Sequence, residues 1–253
     1  MADRKILNLE VNAGLCNRLR ALIAGICWAE KLDRKLIVFW PSFKPECAAA
    51  FYQLFAPDSV PEWVAIVNNY LEKPETCLQA PDARRIFSTR EKDQVIDIKS
   101  HGNFWDGDRD IYLYHLRRLR PSREVQDLLD KWERNELNST DIAVHIRMTD
   151  NEKAIRLSPF QLFVGKIHEL GTSKVAVFSD EPRAVQALQE MFGGRIVSFE
   201  TVRKRNTLEG MIEAAAVFFA LARKRQIFGS ANSSFSEIAR EYGGVELVLL
   251  RQD

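Results

Sequence analysis

The sequence predicts an α/β protein in two halves, the second of which is a parallel β-sheet with helices on both faces. Two observations carry this expectation. From residue 141 onward, apolar, β-branched runs alternate with segments whose apolar residues recur at helical spacing. The first forty residues open in the same strand, helix, strand order. A length of 253 residues, 46% hydrophobic and 28% charged, suits one large or two small domains.

In chain order, Lys5 to Val11 reads as a strand. Leu15 to Leu32 reads as a helix with Leu15, Leu19, Leu22, Ile23 and Ile26 on one face, and Leu36 to Trp40 as a second strand. Pro41, Pro45, Pro57, Pro61, Pro74 and Pro81 then interrupt the pattern, leaving short strand candidates at Trp63 to Val67, Val95 to Ile98 and Ile111 to Tyr114. The boundary is expected between Arg117 and Thr140, where the basic run RRLRPSR, a helix from Arg123 to Arg134 and the polar segment NELNST follow one another. This divides the chain into a domain at 1–120, a linker with a connecting helix at 121–140, and a domain at 141–253.

In the second domain, strands are predicted at Asp141 to Ile146, Lys174 to Ser179, Arg195 to Phe199, Gln226 to Gly229 and Val245 to Leu250. Between them lie helices at Ser158 to Leu170, Glu181 to Phe192, Thr207 to Arg223 and Ser233 to Tyr242. Ser158-Pro159 reads as an N-cap followed by a first-turn proline, and Gly171, Gly193-Gly194 and Gly243-Gly244 as helix stops. Right-handed crossovers make such an alternation a parallel sheet.

Composition excludes several function classes. With 36 Lys and Arg against 35 Asp and Glu, the formal charge of +1 supplies no global field for nucleic acid or an anionic membrane. The basic runs Arg203-Lys204-Arg205 and Arg223-Lys224-Arg225 are therefore expected on solvated helix faces. Apolar runs such as Ala214 to Ala222 are too short for a membrane span, which needs roughly 20 residues. The first thirteen residues have no signal-peptide pattern, so a cytoplasmic location is expected. Cys16, Cys27, Cys47 and Cys77 show no CxxC spacing, and Cys16 and Cys27 on one helix would lie about 16 Å apart. Reduced thiols and no dedicated metal site are the expectation.

Four polar clusters fall where strands end and helices begin. Asn12 to Arg20, NAGLCNRLR, joins the first strand to the first helix; Gly14 would make the turn, and unpaired N–H groups there suit a phosphate or a sugar hydroxyl. His145 to Asp150, HIRMTD, places an arginine fork at the end of the strand that opens the second domain, with Arg147 to Asp150 as a simple surface ion pair its alternative. Asp180 in VFSDE could accept hydrogen bonds from a ligand, or Ser179 or Asp180 could only cap the next helix. The loop GSANSSFS, with Ser233, Ser234 and Phe235, offers hydroxyls and N–H groups suited to a pyrophosphate, or a serine cap with Phe235 in the core.

NAGLCNRLRALIAGICWAEKL, HIRMTD, VFSDE and the closing EGM...FFALARKRQIFGSANSSFSEIA together resemble, in this order, the fucosyltransferase-like superfamily of GT-B glycosyltransferases. The resemblance implies a GT-B-like fold of two Rossmann-like domains facing a cleft, the first on the acceptor side and the second holding the nucleotide sugar. It implies inverting transfer of fucose from GDP-fucose to a hydroxyl of a glycan, glycoside or protein, without cofactor or metal. Arg147 would hold the β-phosphate, and Asp150 is the acid best placed by motif to act as base. Gly14, Asn17, Arg18, His145, Asp180, Ser233, Ser234 and Phe235 would contact the donor. The sequence departs from the family pattern at Ala13 and Cys16, which replace glycines, at Thr149 in the glycine position of HxRxGD, and at Val217 where an acid is usual. Another nucleotide sugar, or nucleotide-sugar binding without turnover, are the alternatives.

Overall fold

The structure, a computed structural model, describes residues 4–72, 80–200 and 204–252. The chain divides into two units, Met1–Glu124 with Lys204–Ala214, and Val125–Arg203 with Ala215–Asp253.

Unit 1 begins with strand β1 (Ile6–Val11), helix α1 (Leu15–Lys31) and strand β2 (Lys35–Phe39). After them come the single-turn helix α2 (Phe51–Leu54), strand β3 (Val64–Val67), helix α3 (Ala80–Thr89), strand β4 (Val95–Ser100) and helix α4 (Arg109–Arg117). The four strands form a parallel sheet in the order β3-β2-β1-β4. Leu7 and Leu9 of β1 lie in register between Leu36 and Val38 of β2 and Ile96 and Ile98 of β4, and all six are fully buried. Helix α1 packs onto β1 so closely that a Cβ at Gly25 would meet Leu9 Cδ2 at 2.5 Å, which explains a glycine inside a helix despite its entropic cost.

One sequence expectation fails here. Ile111 to Tyr114 is not a strand but lies within α4, whose first turn is capped by the Asp108 carboxylate accepting from the Asp110 N–H. The apolar residues are read at helical spacing, with Tyr112, His115 and Leu116 buried and Ile111 and Tyr114 exposed. Ile111, Tyr112 and Tyr114 favour a strand locally, and the cap at Asp108 with burial at helical spacing decides for the helix.

Helix α5 (Arg123–Arg134) leads on to strand β5 (Ile142–Ile146), helices α6 (Glu152–Leu157) and α7 (Phe160–Glu169), strand β6 (Val175–Ser179) and helix α8 (Pro182–Phe192). The chain closes with strand β7 (Ile196–Val197), helix α9 (Leu208–Ala222), strand β8 (Gln226–Ser230), helix α10 (Ser234–Gly243) and strand β9 (Glu246–Leu250). The five strands form a parallel sheet in the order β7-β6-β5-β8-β9. Strand β5 is central and buried at every residue, as its β-branched, mostly apolar run predicts, with the one polar side chain, His145, hydrogen-bonded to Ser236. Ile142, Val144 and Ile146 share a core with Phe163 and Ile167 of α7 and Val185 and Leu188 of α8.

Several local expectations are corrected. The strand predicted from Arg195 to Phe199 shortens to Ile196–Val197, because Gly193–Arg195 closes a helical turn and Phe199 packs beside the Trp132 ring at 5.0 Å. Ser158 does not cap α7, since Pro159 occupies that position; the buried Ser158 hydroxyl instead donates to Leu250 O and accepts from Ala231 N–H. Lys224 is not on a solvated face. It is buried and donates to Leu137 O at 2.7 Å, Thr140 O at 2.7 Å and Thr140 Oγ1 at 2.9 Å, and burial pulls its pKa down to about 8. Cys16, Cys27 and Cys47 are buried, and burial pushes Cys27 up to about 12; Cys77 lies outside the described residues. No described helix is long and apolar enough to cross a membrane.

Candidate functional site

In each sheet the chain reverses direction at one place, and open α/β sheets bind ligands at the carboxyl ends of the strands there. In unit 2 the chain passes from β5 to β6 on one side and from β8 to β9 on the other, so that place is the end of β5 and β8. HIRMTD leaves β5 at this point, and the loop is fastened from two sides. The Arg147 N–H donates to Ser230 Oγ at the end of β8 (2.9 Å), and Asn151 Nδ2 donates to Asn232 O in the β8–α10 loop (3.0 Å). From the β6–α8 loop, Asp180 accepts from the Met148 N–H and from Thr149 Oγ1, each at 2.7 Å.

The Arg147 guanidinium lies between two carboxylates. It pairs with Asp150 in its own loop and with Asp180 at 3.2 Å, and the Arg147 side chain is 24% exposed. The ion pair with Asp150 forms as the alternative reading of this motif had it, and together with Asp180 it fixes the guanidinium just beyond the carboxyl end of β5. Asp180 is not the cap of α8. Glu181 takes that position, its carboxylate accepting from the Arg183 N–H at 3.0 Å, which leaves Asp180 for the HIRMTD loop.

His145 is buried near the end of β5, with Nδ1 2.8 Å from Ser236 Oγ and its ring stacked on Phe235 at 5.1 Å. Burial lowers its pKa to about 4; the positive charge of Arg147 adds to the fall and Asp180 opposes it. His145 is thus a neutral hydrogen-bonding group near pH 7. Its folded pKa lies below the ordinary 6.5, so its contribution to stability is complete above 6.5 and is lost as pH falls towards 4. We expect a loss of about 3 kcal/mol across that window, seen as a falling denaturation midpoint, and a much flatter profile in His145→Gln. Equal slopes in both proteins would show that another group governs the acid limb.

Ser233 sits at the N-cap position of α10 without a side-chain cap bond, Ser234 opens the helix, and the half-buried Phe235 is the stacking partner of His145. A cation at the ends of β5 and β8, beside the positive end of α10, is chemically suited to a diphosphate. Sequence reasoning missed Asn151 and misread Ser158. Asn151 was detectable as an N-cap, its Oδ1 accepting from the Ala154 N–H ahead of the unpredicted α6, whereas the Ser-Pro pair at Ser158 pointed to a cap and not to the bonds its hydroxyl makes with Leu250 and Ala231.

In unit 1 the reversal falls at the ends of β1 and β4. Gly14 has φ −73° and no need of glycine; the left-handed residue of the turn is Ala13, at φ 65°. The Asn17 and Arg18 N–H groups both donate to Gly14 O at 3.1 Å. The Arg18 side chain is fully buried, donating from Nε to Ala13 O at 2.8 Å and from Nη1 to Pro41 O at 2.7 Å, while its guanidinium carbon lies 5.4 Å from the Trp40 ring. Burial lowers its pKa, against the opposing effects of Cys47, Glu46, Tyr70 and Glu10. A pocket of about 360 Å³ opens here, bordered by Asn12, Ala13 and Arg18. Among the described residues, no group of three or more His, Cys, Asp and Glu side chains is placed to hold a metal ion.

No family model and no curated protein sequence matches the chain. Solved structures do. NodZ α-1,6-fucosyltransferase soaked with GDP-fucose, an enzyme also solved from Bradyrhizobium, matches with a TM-score of 0.67 at 16% identity, over 94% of this chain and 92% of that one. POFUT1 in complex with GDP-fucose matches with a TM-score of 0.65 at 14% identity, over 99% and 98%. A variant of Arabidopsis thaliana FUT1 in complex with GDP matches with a TM-score of 0.70 at 17% identity, over 99% of this chain and 71% of that one. The chain therefore shares its fold with these solved fucosyltransferases, with the mixed α/β architecture and parallel sheets expected from its sequence.

Proposed function

We propose that the protein is a glycosyltransferase that transfers fucose from GDP-fucose, with inversion, to a hydroxyl acceptor. The observation that carries this reading is the arrangement at the ends of β5, β6 and β8. Arg147 is fixed there by Asp150 and Asp180, beside the start of α10, in a fold shared with fucosyltransferases solved with GDP or GDP-fucose. Departing GDP develops negative charge on its β-phosphate, and a preorganised guanidinium lowers the barrier most when its geometry is set before the bond breaks. His145 stays neutral and offers a hydrogen bond without a competing positive charge.

In this reading Arg147 holds the β-phosphate, Ser233, Ser234 and Phe235 border the diphosphate and nucleoside, and Asp180 sets the loop that carries Arg147. Asp150 is the acid assigned to the acceptor proton, and its pairing with Arg147 gives it an orienting role as well. The turn at Gly14, Asn17 and Arg18 in unit 1 is assigned to contacting the donor and shaping the acceptor side. Calorimetric titration of the wild type and Arg147→Ala with GDP, GDP-fucose, GDP-mannose and UDP tests the reading. Binding selective for guanosine diphosphates and lost in the variant is expected; no binding, or equal binding of UDP, overturns it.

A further inference from the structure

We propose that the unit-1 pocket at the ends of β1 and β4 binds a neutral sugar ring, with Tyr70 and Phe43 as its stacking wall. The proposal deepens the transferase reading, on which it rests for making that sugar the acceptor. It starts from charge. Cations and carboxylates line the pocket together: Lys99 pairs with the buried Glu10 at 2.9 Å, and Arg18, Lys44, Glu46 and His101 also border it. A diphosphate placed there would face two carboxylates, whereas a hydroxyl donates to one such group while accepting from another, so a mixed lining recognises a polyol.

The second observation is Arg18 itself. Its guanidinium is buried, two of its nitrogens are committed to main-chain oxygens, and Nη2 has no hydrogen-bond partner. A buried charged donor left unsatisfied is costly, and an acceptor oxygen entering the pocket it lines would relieve that cost. The third is an aromatic pair at the opening. Tyr70 lines the pocket, Lys44 Nζ lies 5.2 Å from its ring centre, and Phe43 packs edge-to-face on it at 4.8 Å. Phe43 is nevertheless 59% exposed and Tyr70 37% exposed. An exposed, mutually braced aromatic surface beside clustered donors and acceptors presents apolar area to the C–H face of a ring whose hydroxyls reach the polar side. A volume of about 360 Å³ is at the small end for ligand pockets, which span about 300–1,000 Å³, and suits one ring with its neighbours outside.

The test is surface plasmon resonance on the immobilised full chain. The probes are neutral oligosaccharides of glucose, galactose and N-acetylglucosamine, their sialylated and glucuronate-bearing counterparts, and inorganic pyrophosphate. At least one neutral oligosaccharide is expected to bind, about tenfold more weakly to Tyr70→Ala and more weakly to Phe43→Ala, with GDP affinity held within about twofold. Both side chains are exposed, so the variants should melt with the wild type, and the melting temperature is measured alongside. Absence of binding by any neutral oligosaccharide, equal binding by the variants, or preferential binding of acidic oligosaccharides displaced by pyrophosphate would overturn the site. Sugar binding without GDP binding keeps this site and removes the transferase reading; GDP binding without sugar binding removes this site alone.

Discussion

Arg147→Ala is expected to lower kcat/KM for GDP release from GDP-fucose by about a thousandfold, which is about 4 kcal/mol of transition-state stabilisation. The size follows from what the side chain is positioned to do. Two carboxylates hold the guanidinium at a fixed place beside the start of α10, so little reorganisation is needed when charge develops on the leaving group. Arg147→Lys keeps the charge but loses the planar fork, and should fall between the two. The fold should survive both changes, because the side chain is partly exposed and ion pairs of that kind contribute little to stability. A second readout comes from His145. Arg147 is one of the causes of its lowered pKa, so the alanine variant should titrate His145 at higher pH, visible by NMR. Turnover within threefold of the wild type would take Arg147 out of the mechanism, even if His145 shifted as expected.

The elements that the sequence made legible are those where one physical signal dominates. IAVHI is apolar at four of its five positions, and it became a strand buried at every residue. REVQDLLDKWER repeats its apolar positions at helical spacing, and it became a helix over the predicted residues, Arg123–Arg134, with Val125, Leu129 and Trp132 buried. Where two signals compete, reading fails: Ile111 to Tyr114 has strand-forming residues locally, and the decisive information is a cap at Asp108 and burial of residues three and four apart. Lys224 shows a different limit. Nothing in Arg223-Lys224-Arg225 tells the middle residue from its neighbours, and only the oxygens of Leu137 and Thr140, more than eighty positions away, make burial of its ammonium tolerable. The site divides in the same way. The placement of Arg147 just after β5 was legible because the apolar run before it marks the strand's end. That Asp180 fastens the HIRMTD loop was not, because its partners, Met148 N–H and Thr149 Oγ1, are ordinary groups made special by strand order.

Asp180→Ala is the second large effect expected, about a hundredfold in kcat or about 3 kcal/mol. Its carboxylate does three things at once, accepting from the Met148 N–H, accepting from Thr149 Oγ1 and pairing with Arg147. Removing it frees the loop that fixes Arg147, so the loss should appear in kcat more than in the affinity for GDP. Asp180→Asn retains one oxygen for the Met148 N–H but gives up the charge, and should recover part of the rate. The discriminating variant is Thr149→Val, which deletes the hydroxyl that donates to Asp180 and leaves the carboxylate in place. If Asp180 acts by positioning the loop, Thr149→Val lowers kcat by about tenfold and its effect is not additive with Asp180→Ala, because both act through one hydrogen-bonded unit. If Asp180 instead acts only by touching the donor, Thr149→Val leaves kcat unchanged, and Asp180→Ala raises the KM for GDP-fucose without lowering kcat. A double-mutant cycle in kcat and KM separates the two, because a loop held by Asp180 and a ligand held by Asp180 place the same carboxylate on different sides of the rate equation.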